Sequence, residues 1–159
     1  MKKLALFLVL ASIAFSCSTP KTVQESKKVI KGYWTLNEVT YSEEGNFLIT
    51  LLDDTSRECF AGSSWRFIPN NNTGVYTINN GNCPTGDRHF IFIIQEVDQS
   101  TGLYDFLLKP TNEKKKSESN VGFRLHLTQL TGSKMKWEQT VSLEGKPFTI
   151  TMNFTKSED

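Results

Sequence analysis

The stretch "VGFRLHLTQLTGSKMKWEQTVSLEGKPFTITMNFTK" (residues 121–156) decides the fold. In 121–130, Phe123, Leu125 and Leu127 fall on one side and Arg124, His126 and Thr128 on the other. In 134–143, Met135, Trp137, Gln139, Val141 and Leu143 alternate with Lys136, Glu138, Thr140 and Ser142. In 147–156, Phe148, Ile150, Met152 and Phe154 alternate with Thr149, Thr151, Asn153 and Thr155. Period two marks β-strands, because successive side chains leave a strand on opposite faces. "LTGSK" and "EGK" are tight turns, so the three strands run antiparallel.

The same rhythm extends back to residue 32. "GYWTLNEVTY" (32–41) alternates, with Trp34, Leu36 and Glu38 on one side and Tyr33, Thr35, Asn37 and Val39 on the other. "FLITLL" (47–52) is a short apolar run, and one helical turn fits near 53–62. "SSWRFIP" (63–69) leads through the turn "NNNTG" into "VYTIN". "NNGNCPTGD" (79–87) is another break. "RHFIFIIQEV" (88–97) is apolar on both sides, as in a buried strand, and "LYDFLLK" (103–109) follows. Eight or nine short strands joined by short turns predict an all-β, antiparallel up-and-down barrel. Closure removes the open edges that invite aggregation. A β-sandwich is the alternative.

Ahead of the strands, Met1, Lys2 and Lys3 open an apolar run from Leu4 to Phe15. The run is too short to span a bilayer, which takes ~20 residues, and suits a secretory leader. The leader ends "AFSC", which resembles the lipobox of bacterial lipoproteins. That resemblance implies removal of 1–16, with Cys17 as the lipidated first residue of the mature chain. Phe15 departs from the commonest box. "STPKTVQESKKVIK" (18–31) is polar and without apolar period, so 17–31 reads as lipidated cysteine plus flexible tether, and 32–156 as the barrel domain. The expected place is the cell envelope, on the outer membrane. The absence of acids just after Cys17 leans toward the periplasmic face.

Eighteen Lys and Arg stand against seventeen Asp and Glu, and Lys2 and Lys3 leave with the leader. No basic field is left to hold nucleic acid. "EKKKSE" (113–118) reads as a solvated loop tip. Cys59 and Cys83 remain, an even pair in an exported chain, which reads as a disulfide; two free thiols are the alternative. A bridge across ~24 residues stabilises by ~3 kcal/mol in the chain-entropy model.

At "GYW" (32–34) the chain resembles lipocalins, whose G-x-W signature opens the first strand. Residues 32–156 also resemble lipocalin-like lipoproteins of Bacteroidetes, through Trp34, "CFAGSSWRF" (59–67), "NNNTG" (70–74), Cys83 and "FTITMNFTK" (148–156). The resemblance implies that Lys156 packs over Trp34 and closes the barrel floor. It also implies a small hydrophobic ligand, such as a fatty acid or another lipid, in the barrel.

Catalytic patterns are missing: no GxSxG, HExxH or P-loop occurs. His89 and His126 read as surface or rim residues, and Asp105 joins them as the cheap screen for catalysis. Asp53, Asp54 and Glu58 lack calcium-loop spacing and read as a solvated turn. No enzyme activity, metal or cofactor is expected. Trp65, Phe67, Phe92, Phe106, Phe123, Leu125, Trp137, Phe148, Met152 and Phe154 are the residues that fill the barrel or line a ligand cavity; sequence does not separate the two roles. If they fill it, the protein is a scaffold that meets another envelope component through loop 110–120.

Overall fold

The computed structural model describes residues 21–98 and 100–158, apart from the side chains of Glu96 and Val97. The leader (1–16) and Cys17 lie outside the described residues. Eight strands follow one helix: α1 (Lys21–Ile30), β1 (Gly32–Tyr41), β2 (Ser63–Ile68), β3 (Thr73–Ile78), β4 (Gly86–Val97), β5 (Tyr104–Thr111), β6 (Phe123–Leu130), β7 (Lys134–Leu143) and β8 (Lys146–Ser157). A single turn of helix, α2 (Arg57–Phe60), interrupts the β1–β2 connection. Each strand pairs with the next, and β8 returns antiparallel to β1 from Tyr33↔Ser157 to Tyr41↔Ile150, closing the barrel.

Alternation places the core inside. In β8, Phe148, Ile150, Met152 and Phe154 are buried, with the threonines between them facing outward. β6 and β7 send Leu125, Leu127, Met135 and Trp137 inward. The run 47–52 forms no strand of the barrel; an isolated bridge, Leu51↔Thr55, is its one β contact.

Three sequence expectations change. In β1 the register slips between Leu36 and Glu38, so Trp34, Leu36 and Val39 are buried and Glu38 faces water. The bulge adds one residue and swaps the faces beyond it. β4 is not buried on both sides: Phe90 and Phe92 point inward, whereas Ile93 is 52% exposed. The segment read as a flexible tether carries α1, whose Val23, Ser26 and Ile30 are buried. Those positions, three and four apart, line one face of a helix. One of the three is a serine, which hid the stripe from a hydropathy reading.

α1 packs across the end of the barrel where β1 begins. Ser26 Oγ donates to Gly102 O (2.9 Å) in the β4–β5 loop. Lys27 Nζ donates to Asn72 Oδ1 (3.1 Å) in the β2–β3 turn. The opposite end is the mouth, covered by the β1–β2 connection, residues 42–62.

Candidate functional site

The barrel interior begins with Trp34 at the closed end. Its Nε1 donates to Ile30 O (2.8 Å), tying the first strand to the last turn of α1. Lys156 Nζ lies 5.1 Å from the indole centroid and donates to Val29 O (2.8 Å). Gly32 holds φ +106°, a left-handed conformation that favours glycine, and lets the chain leave α1 and enter β1 at that point. Trp34 and Lys156, paired in register across β1 and β8, thus meet at the floor.

Above the floor, aromatic rings from six strands touch across the lumen. Trp65 stacks on Tyr76 at 4.5 Å and meets Trp137 edge-on at 5.3 Å. Trp137 contacts Phe106 at 4.9 Å and Phe154 at 4.5 Å. Phe67 bridges to Phe92 at 5.8 Å and to Trp137 at 5.6 Å. These spacings are those of favourable edge-to-face and offset pairs. Of the ten residues expected to fill or line the barrel, Trp65, Phe67, Phe92, Phe106, Leu125, Trp137, Phe148, Met152 and Phe154 are each at most 2% exposed. Phe123 differs: it is half-buried at the mouth end of β6, a rim residue.

Tyr76, Phe90, Tyr104 and Phe60 belong to the same interior and were missing from the sequence reading. Tyr76 and Ile78 alternate with Val75 and Thr77 in β3, so their signal was present. Phe90 was undecidable from β4 alone. Its partner settles it, because Phe90 stands opposite Gly74, the only residue type that leaves room for that ring.

Among the described residues, two donors on fully buried side chains of the barrel have no partner, and the hydroxyl of half-buried Tyr41, packed on Phe148 at the mouth, has none either. Trp137 Nε1 and the Tyr104 hydroxyl are buried and make no hydrogen bond, although both residues are at most 2% exposed. Tyr104 flanks Phe106, and Phe106 in turn packs on Trp137. Burial pushes the Tyr104 hydroxyl well above the ordinary tyrosine pKa. Trp65, by contrast, donates to Ser63 Oγ (2.9 Å). Among the described residues the buried polar side chains are Ser26, Ser63 and Thr73, so none of them brings an ionised group into the lumen.

The mouth is latched. Leu51, Leu52 and Phe60 of the covering segment are buried, and Phe60 lies 5.4 Å from Tyr76. Cys59 and Cys83 form a disulfide, joining that segment to the β3–β4 loop. Asp54, expected in a solvated turn, instead accepts from Tyr76 Oη (2.9 Å) and Arg88 Nε (3.0 Å). Both partners come from the barrel wall, so this carboxylate pins the cover to β3 and β4. Burial foremost, then the charge of Asp54, drives the Tyr76 hydroxyl far above its usual pKa. Leu52 and Asp53 take left-handed φ values of 52° and 55° to make the bend.

The histidines lie elsewhere. His126 Nδ1 pairs with Asp105 Oδ1 on the outer wall, and Arg124 Nη1 approaches the other oxygen of Asp105 at 3.5 Å. The His126 side chain is 60% exposed. His89 sits on the outward face of β4, half-buried. Among the described residues no group of His, Cys, Asp and Glu has the arrangement to hold a metal ion.

A family model described as a lipocalin-like domain matches residues 30–137. No curated protein matches. Among solved structures, a lipocalin-like protein from Bacteroides uniformis ATCC 8492 is similar at 9% identity and a TM-score of 0.49, over 81% of this chain and 99% of that one.

Proposed function

From the premise that the chain belongs to the lipocalin-like domain family, we propose that it binds one small amphipathic molecule inside its barrel, with no chemical step. The observation that carries this reading is the partnerless state of two donors on fully buried lumen side chains, Trp137 Nε1 and the Tyr104 hydroxyl, where Trp65 and Tyr76 find acceptors. A buried donor left unpaired costs ~1–3 kcal/mol. The carboxylate or hydroxyl of a fatty-acid-like ligand would accept from Trp137 Nε1, while its chain displaces ring contacts. Apolar burial contributes ~25 cal/mol per Å2, and a few polar groups fix the orientation. Entry is by the mouth, once the 42–62 cover lifts and the rings turn.

The same reading takes Cys17 as the lipid-bearing residue of an outer-membrane protein facing the periplasm. Its support is the "AFSC" box and the acid-free stretch behind it.

One observation favours a second reading. The rings of Trp65, Phe67, Trp137 and Phe154 meet through the lumen and fill it, as in a scaffold barrel. Titration of delipidated protein with a fluorescent fatty acid separates the two. The binding reading expects saturable uptake, weakened about tenfold by Trp137→Phe, which keeps a ring and removes the donor. No saturable uptake, with no molecule released by organic extraction of protein from its host, leaves the filled scaffold.

A further inference from the structure

We propose that the α1 end of the barrel rests on the headgroups of an anionic bilayer, with the mouth turned away from the membrane. The proposal rests on lipidation of Cys17. Three residues, Ser18 to Pro20, separate that cysteine from the first helical residue, Lys21. An extended chain spans at most ~3.6 Å per residue, so the acylated residue lies within ~14 Å of Lys21. α1 cannot swing free to lengthen this reach. Ser26 and Lys27 bond it to two loops of the barrel, and Val23 and Ile30 are buried under it. The strands then set the distance to the other end. β8 has twelve residues, which at ~3.3 Å per residue and a tilt of ~40° carry the mouth roughly 30 Å along the axis, twice the tether's reach.

The outward face of α1 matches an anionic surface. Lys21 and Lys28 are exposed on that face, about two turns apart, and Lys31 is exposed just past the helix end. Glu25, paired with Lys21 at 4.0 Å, is the one acid between residues 21 and 31. Juxtamembrane lysines are attracted to anionic lipid within a Debye length, and one acylated residue combined with a basic patch makes a stable anchor. A ligand leaving the mouth would therefore enter the aqueous space rather than the bilayer below it.

The test uses the full acylated protein on phosphatidylethanolamine vesicles containing about a quarter phosphatidylglycerol. With Cys17 acylated and Cys59 bonded to Cys83, a thiol introduced by Lys28→Cys, Ser100→Cys or Leu48→Cys takes the label. Leu48 is fully exposed in the mouth cover, and Ser100 is exposed in the β4–β5 loop at the α1 end. A quencher carried on lipid headgroups should quench labels at positions 28 and 100 about fivefold more than at 48. Reversing charge with Lys21→Glu, Lys28→Glu and Lys31→Glu should cut quenching at position 100 about threefold. Equal quenching at both ends, or stronger quenching at 48, overturns the orientation. Unchanged quenching in the reversed variant overturns the headgroup contact. Mass spectrometry of the amino-terminal peptide reads the anchor by itself: an unacylated Cys17 removes the premise, whereas an acylated Cys17 with position 48 quenched removes only the docking.

Discussion

Gly74 shows how little slack single residues have in this barrel. A Cβ built there would come within 2.1 Å of the Phe90 ring and 2.7 Å of Arg66 O. Neither can retreat, since Phe90 is fully buried and the carbonyl belongs to the paired strand β2. Gly74→Ala should lower the free energy of unfolding by ~1–3 kcal/mol, the usual cost of overpacking a dense core, read as a lower denaturant midpoint. Lys156 is the opposite case, a surface residue with two specific partners. Its ammonium faces the Trp34 ring and donates to Val29 O. Because the group is exposed, Lys156→Ala should cost only about 1 kcal/mol, and Lys156→Arg should restore most of it, since a guanidinium also packs on indole. A loss in the alanine variant that arginine does not recover would mean the ammonium's own bond to Val29 O, not a cation over the ring, supports the floor.

Among elements, the mouth cover is the one whose hold on the barrel can be taken apart stepwise. It has a covalent tie, Cys59–Cys83, and an ionic one, Asp54 to Arg88 and Tyr76. Replacing both cysteines, Cys59→Ser with Cys83→Ser, should lower stability by ~3 kcal/mol and speed amide exchange within 42–62 ahead of the barrel strands. Uniform acceleration across all strands would show that the cover is not a separate unit. Legibility also differs by element. β6, β7 and β8 could be read because each has one wet and one dry face, so alternation carries the answer. β1 could be read only as far as Leu36, because a bulge is a backbone event with no hydropathy signature. α1 was illegible because its inward face includes Ser26, which is satisfied by Gly102 O from a loop 76 residues away. The latch was hidden for the same reason: Asp54 meets Arg88 across 34 residues. Of the candidate site, the bulky lumen residues were legible as apolar partners of an alternating pattern. That Trp137 and Tyr104 lack acceptors was not, since an unmet hydrogen bond depends on every neighbour at once.

At the scale of the whole molecule, a closed sheet is sealed by α1 at one end and a latched cover at the other, with tyrosines buried near both seals. Tyr76 is 1% and Tyr104 2% exposed. Burial is the largest cause raising both hydroxyl pKa values, and for Tyr76 the Asp54 charge and hydrogen bond add to it. The sign follows from linkage. An unfolded tyrosine ionises near pH 10, so above that the unfolded chain releases protons the folded barrel retains, and stability falls with rising pH. The contribution of these two hydroxyls is therefore whole below about pH 10 and is lost above it, at up to ~1.4 kcal/mol per pH unit for each fully protected group. Denaturant midpoints should hold level from about pH 8 to about pH 10 and then drop, and in a variant with Tyr33→Phe and Tyr41→Phe the remaining tyrosinate absorbance should rise in step with unfolding rather than before it. Tyr76→Phe should lessen the alkaline slope by about half. The same variant removes a donor to Asp54, so it should also loosen the mouth cover at neutral pH, visible as faster exchange in 42–62. An alkaline slope unchanged by Tyr76→Phe would mean that this hydroxyl reaches solvent, and that the cover opens far more readily than its two ties imply.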